Sequence, residues 1–183
     1  EPIAVIYDEE IEKVVQPLLR RLNITHFIKI GENSGERFDV WRNDTKINLP
    51  KTPEPDDFAT LQYTGGTTGL PKGVNITHRQ LSTNISQREA RWPTREGVER
   101  VLCAMPLFHV YASSMALHLA VYCKGQLNIL SRYRPELVLN MISQEQITIL
   151  PVGPTIFIGL MGYENFDSTD FSSLRIAYSG SAP

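Results

Sequence analysis

The chain has 183 residues, enough to bury a sizeable core within one domain. Its composition, 42% hydrophobic and 21% charged with a net charge of −2, is typical of a soluble cytoplasmic α/β protein and lacks the basic blocks that nucleic-acid binding requires. The longest apolar stretch, near 115–121, is far shorter than the roughly 20 residues that span a bilayer, and the sequence shows no signal-peptide pattern.

The first part of the chain predicts a strand, a helix and a second strand, followed by a long irregular connection. An apolar run at 3–7 favours a strand, and Asp8 is suited to cap the next helix. Apolar residues at i, i+3, i+4 and i+7 indicate that helix: Ile11, Val14, Val15, Leu18, Leu19 and Leu22. Pro17 is expected to kink or split it. A strand is predicted at 26–30, and residues 31–57 are predicted to be irregular.

A loop rich in glycine and threonine lies between a predicted buried strand at 58–63 and a strand-like run at 73–77. Its glycines allow backbone N–H groups to face an anion without interference from a Cβ atom, its threonines add hydroxyl donors, and its lysine adds a positive charge. These residues are Thr64, Gly65, Gly66, Thr67, Thr68, Gly69 and Lys72. The pattern favours a phosphate-binding loop, with a glycine-rich surface turn as the alternative.

The loop is not that of the P-loop NTPases. Their motif requires adjacent glycine and lysine followed by serine or threonine, whereas Leu70 and Pro71 separate Gly69 from Lys72 and Gly73 follows the lysine. An independent P-loop NTPase is therefore disfavoured.

The rest of the chain alternates strands and helices. Helices are predicted at 77–92, 113–122, 135–144 and 155–161, and strands at 101–105, 126–130, 147–152 and 174–179. A polar break at 94–99 is taken as the boundary between two layers, 1–97 and 98–183. The alternation predicts an α/β fold of stacked, mostly parallel sheets flanked by helices, with ligands at the carboxyl ends of the strands.

Three segments resemble motifs of the adenylate-forming ligases, the family that includes acyl-CoA synthetases, luciferases and peptide-synthetase adenylation domains. Residues 63–74 resemble the family's first nucleotide-binding signature, and 106–111, Pro-Leu-Phe-His-Val-Tyr, resembles its Pro-x-Phe-His segment. Residues 178–183, Tyr-Ser-Gly-Ser-Ala-Pro, resemble the turn against which the adenine ring packs. Ala112 and Ser181 stand where many members have glycine. The resemblance covers essentially the whole chain, 1–183, as the central part of the large N-terminal domain.

The resemblance implies an ATP-dependent acid–thiol ligase. A carboxylate would attack the α-phosphorus of ATP, pyrophosphate would leave, and CoA would then take the acyl group from the acyl-adenylate. Lys72 and His109 would be the catalytic residues, with His109 at the entrance of the acyl pocket. The loop residues named above would bind the nucleotide together with Gly180, Ser181, Ala182 and Pro183.

The partners implied are a small carboxylic acid, ATP and CoA, with Mg²⁺ held by residues outside this sequence. The ribose aspartate and the C-terminal lysine of the family are also absent from it. We therefore expect this piece to be inactive alone, and we expect at most peripheral membrane association for the parent protein. No metal ligand is assigned in this chain, because it has no zinc-ligand spacing, and Cys103 and Cys123 are predicted to be reduced core thiols.

The run at 61–69 and the segment from Pro106 to Leu174 are especially similar to the fatty-acid CoA ligases, so a fatty acid is the predicted substrate. Met115, Ala116 and Leu119 would line an alkyl channel or pack in the core. Two alternatives stay open: an aryl-acid ligase of the coumarate type, and a nucleotide-binding or structural fragment without catalysis. Without the resemblance, His109 would be interpreted as a buried core histidine.

Overall fold

The computed structural model describes residues 3–19, 21–22, 24–31, 51–65 and 70–181. The chain divides into two compact units, Glu1–Lys51 and Thr52–Pro183. The layer boundary predicted near 97 lies inside the second unit and stays a prediction.

The first unit contains two parallel strands and one helix. β1 (Ala4–Asp8) pairs with β2 (His26–Ile30), with Ala4 opposite His26. Asp8 accepts a hydrogen bond from the Glu10 N–H at 2.9 Å and so caps a 3-10 turn at Glu9–Ile11, as predicted. α1 (Glu12–Leu19) follows this turn and runs through Pro17, so the proline does not split the helix.

The predicted apolar positions of this helical region are largely exposed within the first unit: Ile11, Val14, Leu18 and Leu22. Most of the predicted irregular connection at 31–57 lies outside the described residues. Its described residues, 31 and 51–57, lie in neither helix nor strand.

The first regular element of the second unit is a hairpin, whose two strands precede and follow the glycine-rich segment in the sequence. β3 (Phe58–Thr64) pairs antiparallel with β4 (Lys72–Thr77), with Tyr63 opposite Gly73 and Thr64 opposite Lys72. The prediction of a buried strand here is wrong, because Phe58 is 73% and Tyr63 69% exposed. A two-stranded hairpin lacks the neighbouring strands and the covering helices that bury a central strand on both faces.

α2 (His78–Arg91) follows the hairpin directly, as predicted. Thr77 caps it: the Gln80 N–H donates to the Thr77 hydroxyl at 3.3 Å, and the Thr77 N–H donates to Gln80 Oε1 at 2.9 Å. This reciprocal capping box fixes the first turn of the helix at the point where β4 ends.

A four-stranded parallel sheet forms the rest of the second unit. Its strands are β5 (Arg100–Cys103), β6 (Gln126–Ile129), β7 (Ile149–Val152) and β8 (Ile176–Ser179), in the order β6-β5-β7-β8. The helices are α3, which spans 110–122, α4 (Pro135–Gln144) and α5 (Pro154–Met161). α3 consists of Val110–Ala112, a π-helical turn at Ser113–His118, and Leu119–Tyr122. The α/β fold class is confirmed, with the hairpin as its antiparallel exception.

Both faces of this sheet are buried. On one face, Leu102, Leu150 and Val152 pack with α4 and α5 residues such as Ile142 and Leu160. On the other face, side chains of the sheet and of α3 pack together: Val101, Cys103, Ile149, Ala112, Ala116 and Leu119. Because successive strand residues point to opposite faces, one short apolar run serves both layers. Cys103 and Cys123 are buried free thiols, as predicted.

A buried carboxylate stabilises the sheet at the amino end of β5. Glu99 is 1% exposed and accepts hydrogen bonds from the Arg95 N–H at 2.9 Å and from the side chains of Thr148 and Arg175. Burial opposes ionisation, but the hydrogen bonds from these three residues outweigh it and lower the pKa of Glu99 to about 2. The polar break at 94–99 therefore contains a structural ion-pair network.

Candidate active site

Two of the three predicted segments meet at one edge of the parallel sheet. Segment 106–109 follows β5, and Gly180 follows β8; the carboxyl ends of parallel strands lie at the same edge. The ring of Tyr111 packs against Gly180, where an added Cβ atom would lie 2.5 Å from Tyr111 Cε2. Only a residue without a side chain leaves room for this contact.

The first segment joins the second through a cavity of about 430 Å³, which we call the loop cavity. It is lined by Gln62, Tyr63, Thr64, Gly65, Val74, Ile76, Phe108, His109 and Val110. Thr64 and Gly65 begin the predicted phosphate-binding loop, and Phe108 and His109 belong to the Pro-x-Phe-His segment. The structure thus brings together two segments that are more than 40 positions apart in the chain.

Lys72 lies on the cavity face of β4, next to the lining residues. Alternate residues of a strand share a face, so Lys72 shares the face of Val74 and Ile76, and it lies opposite Thr64. The Thr64 hydroxyl donates to the Lys72 carbonyl at 3.4 Å, which joins the two strands where the loop begins. Lys72 itself is exposed and does not line the cavity.

Several predicted nucleotide-binding residues lie outside the described residues: Gly66, Thr67, Thr68, Gly69, Ala182 and Pro183. Of the rest of the loop, Gly65 is described, and a Cβ atom added there would meet no heavy atom within 4 Å. This open space fits a residue that lines a cavity.

His109 is exposed at the first turn of α3, so it is not a buried core histidine. Its Nδ1 accepts a hydrogen bond from the Tyr111 N–H at 3.2 Å. Because Nδ1 is the acceptor, the neutral ring carries its proton on Nε2 and presents a donor there. The backbone of α3 therefore selects the tautomer of a cavity-lining histidine.

The third segment is described as far as Ser181. Tyr178 is buried, its ring lies 5.8 Å from that of Trp92 in an edge-to-face arrangement, and burial raises the pKa of its hydroxyl. Ser181 has φ +62°, the left-handed conformation that favours glycine. A glycine would adopt this conformation without the steric cost of a Cβ atom.

Some cavity residues were not predicted from the sequence. Gln62, Val74 and Ile76 line the loop cavity from the two strands of the hairpin. Alternate residues of a strand share a face, so counting in steps of two from Thr64 and Lys72 would have identified these residues once the pairing of the hairpin strands was known. Conversely, Ala116 and Leu119, proposed for an alkyl channel, are buried against the sheet.

Among the described residues, no group of three or more His, Cys, Asp or Glu side chains is placed to hold a metal ion. In the same part of the chain, none of the helices combines the length and apolarity needed to cross a bilayer.

Comparison with protein families identifies the class. The family described as AMP-binding enzyme matches residues 4–183. The chain belongs to this family.

Two curated relatives illustrate the range of similar proteins. The chain is 36% identical over 137 residues to the long-chain-fatty-acid–CoA ligase of Bacillus subtilis, a match that covers 74% of the chain and 24% of the relative. It is 33% identical over 136 residues to 4-coumarate–CoA ligase 1 of Oryza sativa subsp. japonica, covering 73% and 24%. The chain therefore spans about a quarter of the length of these relatives.

Solved structures agree on the fold. The N-terminal domain of FACL13 from Mycobacterium tuberculosis superposes with a TM-score of 0.79 at 24% identity, covering 98% of this chain and 44% of that one. A putative long-chain-fatty-acid CoA ligase from Rhodopseudomonas palustris gives a TM-score of 0.81 at 21% identity, covering 100% and 45%. At this identity the comparison supports the fold alone.

Proposed function

We propose that the protein containing this chain is an ATP-dependent acid–CoA ligase that activates a carboxylic acid as an acyl-adenylate and transfers it to CoA. The observation that carries the proposal is the loop cavity, which joins the start of the phosphate-binding loop (Thr64, Gly65) to His109. A nucleotide held by the loop and an acid held beside His109 would thus lie in one space.

We assign the nucleotide to the loop and to the edge of the parallel sheet. Thr64, Gly65 and Lys72 would contact the phosphates, together with Gly66, Thr67, Thr68 and Gly69. Gly180, Ser181, Ala182 and Pro183 would contact the adenine. Adenylation moves negative charge onto the departing pyrophosphate, and one preorganised donor aimed at such charge lowers the barrier by about 3 to 4 kcal/mol. Lys72, which lies on the cavity face of β4 opposite Thr64, would act in this way.

We assign the acid to the loop cavity beside His109. The Nε2–H of the neutral ring would donate to a carboxylate oxygen and orient it toward the α-phosphorus. Val74, Ile76 and Val110 supply apolar walls for the rest of the acid.

A fatty acid is the substrate that we favour, because aliphatic side chains line the cavity on both of its sides. The second candidate is an aryl acid of the coumarate type. It is favoured by the rings of Tyr63 and Phe108 in the same lining, which could stack on an aromatic acid, and by the similar identity of the rice relative.

Magnesium would neutralise charge on the phosphates. The described residues form no carboxylate or imidazole group for it, so we assign it no ligand and no step in this chain. The division into layers at 1–97 and 98–183, and a cytoplasmic location, are part of the same proposal.

The substrate test uses the full-length protein with ATP, Mg²⁺ and CoA, and either palmitate or coumarate. AMP release and thioester formation are measured for each acid. We expect both products with palmitate; products with coumarate alone would favour the aryl-acid ligase. A third outcome is that no acid of a broad panel yields AMP or thioester although calorimetry shows that ATP binds. This outcome would contradict the ligase assignment and favour a nucleotide-binding protein without catalysis.

A further inference from the structure

A second cavity of about 320 Å³ continues from the loop cavity, and we call it the side groove. The two share Val74, Ile76 and Val110. The far part of the side groove lies between α2 and α3, where Asn84 and Ser114 line it from opposite helices.

The two walls are held together by hydrogen bonds at one residue. The Ser114 hydroxyl donates to Asn84 Oδ1 at 2.7 Å, and Arg88 Nη1 donates to the Ser114 carbonyl at 3.0 Å. Asn84 and Arg88 are four residues apart, so they lie on the same face of α2. α2 therefore contacts Ser114 at its side chain and at its backbone.

Ser114 lies in the π-helical turn of α3. Such turns are rare, have i→i+5 hydrogen bonds, and occur frequently at functional sites. This one lies one turn beyond Val110, which lines both cavities, and follows His109 and Tyr111 of the site. A contact that fixes the turn also fixes the start of the helix that presents these residues.

The contact that Arg88 makes with Ser114 has a cost in stability. It is 8% exposed, its Nε and Nη2 atoms have no hydrogen-bond partner among the described residues, and burial lowers the pKa of its guanidinium. A buried charge with incomplete hydrogen bonding is often less stable than an apolar side chain of the same size. Its presence is thus poorly explained by stability.

We propose that Asn84 and Arg88 form a clamp on Ser114 that sets the width of the side groove and thereby the fit of the acid substrate. Arg88 is a positioning residue: it lines neither the loop cavity nor the side groove and acts through α3. The inference rests on the proposed function for its link to the acid, whereas the clamp itself is testable without activity.

The test compares variants of the full-length protein. Arg88→Met removes the charge and the Nη1 donor to the Ser114 carbonyl, Arg88→Lys keeps a charged donor on a different stem, and Ser114→Ala removes the bond to Asn84. Arg91→Met, at an exposed arginine of the same helix whose guanidinium lies over the neighbouring Trp92 ring and not at Ser114, is the matched control. The measurements are amide hydrogen exchange, the unfolding temperature, and KM for the acid and for ATP in AMP release.

For Arg88→Met we expect amides in 113–118 to exchange about tenfold faster, with those of α4 unchanged, since a hydrogen bond to a charged group is lost. We expect an unchanged or higher unfolding temperature. KM for the acid should rise about tenfold and KM for ATP less than about twofold. Ser114→Ala and Arg88→Lys should change the same quantities less, and Arg91→Met should change none.

Two results together would overturn the clamp. The first is that Arg88→Met is less stable than the wild type or fails to fold. The second is that Arg88→Lys and Ser114→Ala both keep normal amide exchange at 113–118 and a normal KM for the acid. If the wild-type protein activates no acid, the proposed function fails. The exchange pattern then still decides whether the clamp exists.

Discussion

The hairpin and the parallel sheet both present predicted site segments, but they differ in how they are held. The sheet is buried on both faces, with Leu102 of β5 at 0% exposure, whereas Leu61 of β3 is 50% exposed. The hairpin carries the loop with the most distinctive sequence in the chain, and its own apolar residues contribute little core. The hairpin therefore supplies predicted site residues while adding little to the core. Substitutions should separate the contribution of each region to function from its contribution to stability.

The largest expected difference comes from the same truncation in the two regions. Leu102→Ala should lower the free energy of unfolding by about 2 to 5 kcal/mol, because it removes buried methyl groups and leaves a cavity. Leu61→Ala should cost less than about 1 kcal/mol, because half of the side chain is already in water. Urea unfolding of both variants measures the difference; equal losses would show that the hairpin is part of the core.

The ion-pair network of the sheet should make stability depend on acid pH. The pKa of Glu99 is lower in the folded protein, so its stabilisation is complete above its ordinary value of 4.5 and is lost as the pH falls toward 2. Glu99→Gln should lower the free energy of unfolding at pH 7 by about 3 kcal/mol and flatten its dependence between pH 5 and 2.

Glu96→Gln is the control for this prediction, since Glu96 is an exposed partner of Lys124. Its effect should stay below about 1 kcal/mol at every pH. If the free energy of unfolding of Glu99→Gln keeps the wild-type dependence on pH between 5 and 2, the network is not the source of that dependence.

Substitutions at two glycines of the site should separate effects on stability from effects on activity. Gly180→Ala places a methyl group against Tyr111 and should cost about 1 to 3 kcal/mol of stability. Gly65→Ala has open space around its Cβ atom and should change stability by less than about 1 kcal/mol, while lowering adenylation. Unfolding and AMP-release assays on both variants measure this, and a strongly destabilised Gly65→Ala protein would contradict the described hairpin.

The smallest effect is expected at Ser181. Because its φ of +62° suits glycine, Ser181→Gly should raise the free energy of unfolding by about 0.5 to 1 kcal/mol. A loss of stability would mean that the serine side chain makes a compensating contact.

The sequence predicted the positions of strands and helices more reliably than their burial. The parallel strands from β5 onward were found because buried β-branched runs alternate with amphipathic helices, and Pro135 correctly indicated the first turn of α4. Phe58 to Tyr63 has the same apolar character, yet its burial depends on which strands flank it. The burial of this strand depends on strand pairing in the folded chain, and the residue pattern of the segment alone carries no information about that pairing.

The site shows the same limit. The residue types of the loop and of the Pro-x-Phe-His segment indicated chemistry, and in the structure Thr64, Gly65 and His109 line one cavity. Hairpin register brings Gln62, Val74 and Ile76 to that cavity, and long-range contacts bring Arg88 to Ser114 and Glu99 to Arg175. These contacts join residues between 26 and 76 positions apart, so spacing rules had no signal for them.

The most direct test of the central claim is ATP–pyrophosphate exchange by the full-length protein with Lys72→Ala, and with Lys13→Ala at an exposed lysine of α1 as the charge-matched control. We predict that Lys72→Ala lowers the exchange rate by about 100-fold, with a smaller change in KM for ATP, because the charge develops in the transition state. Lys13→Ala should exchange at the wild-type rate. An unchanged rate in Lys72→Ala would contradict the assignment of the hairpin loop to the departing pyrophosphate.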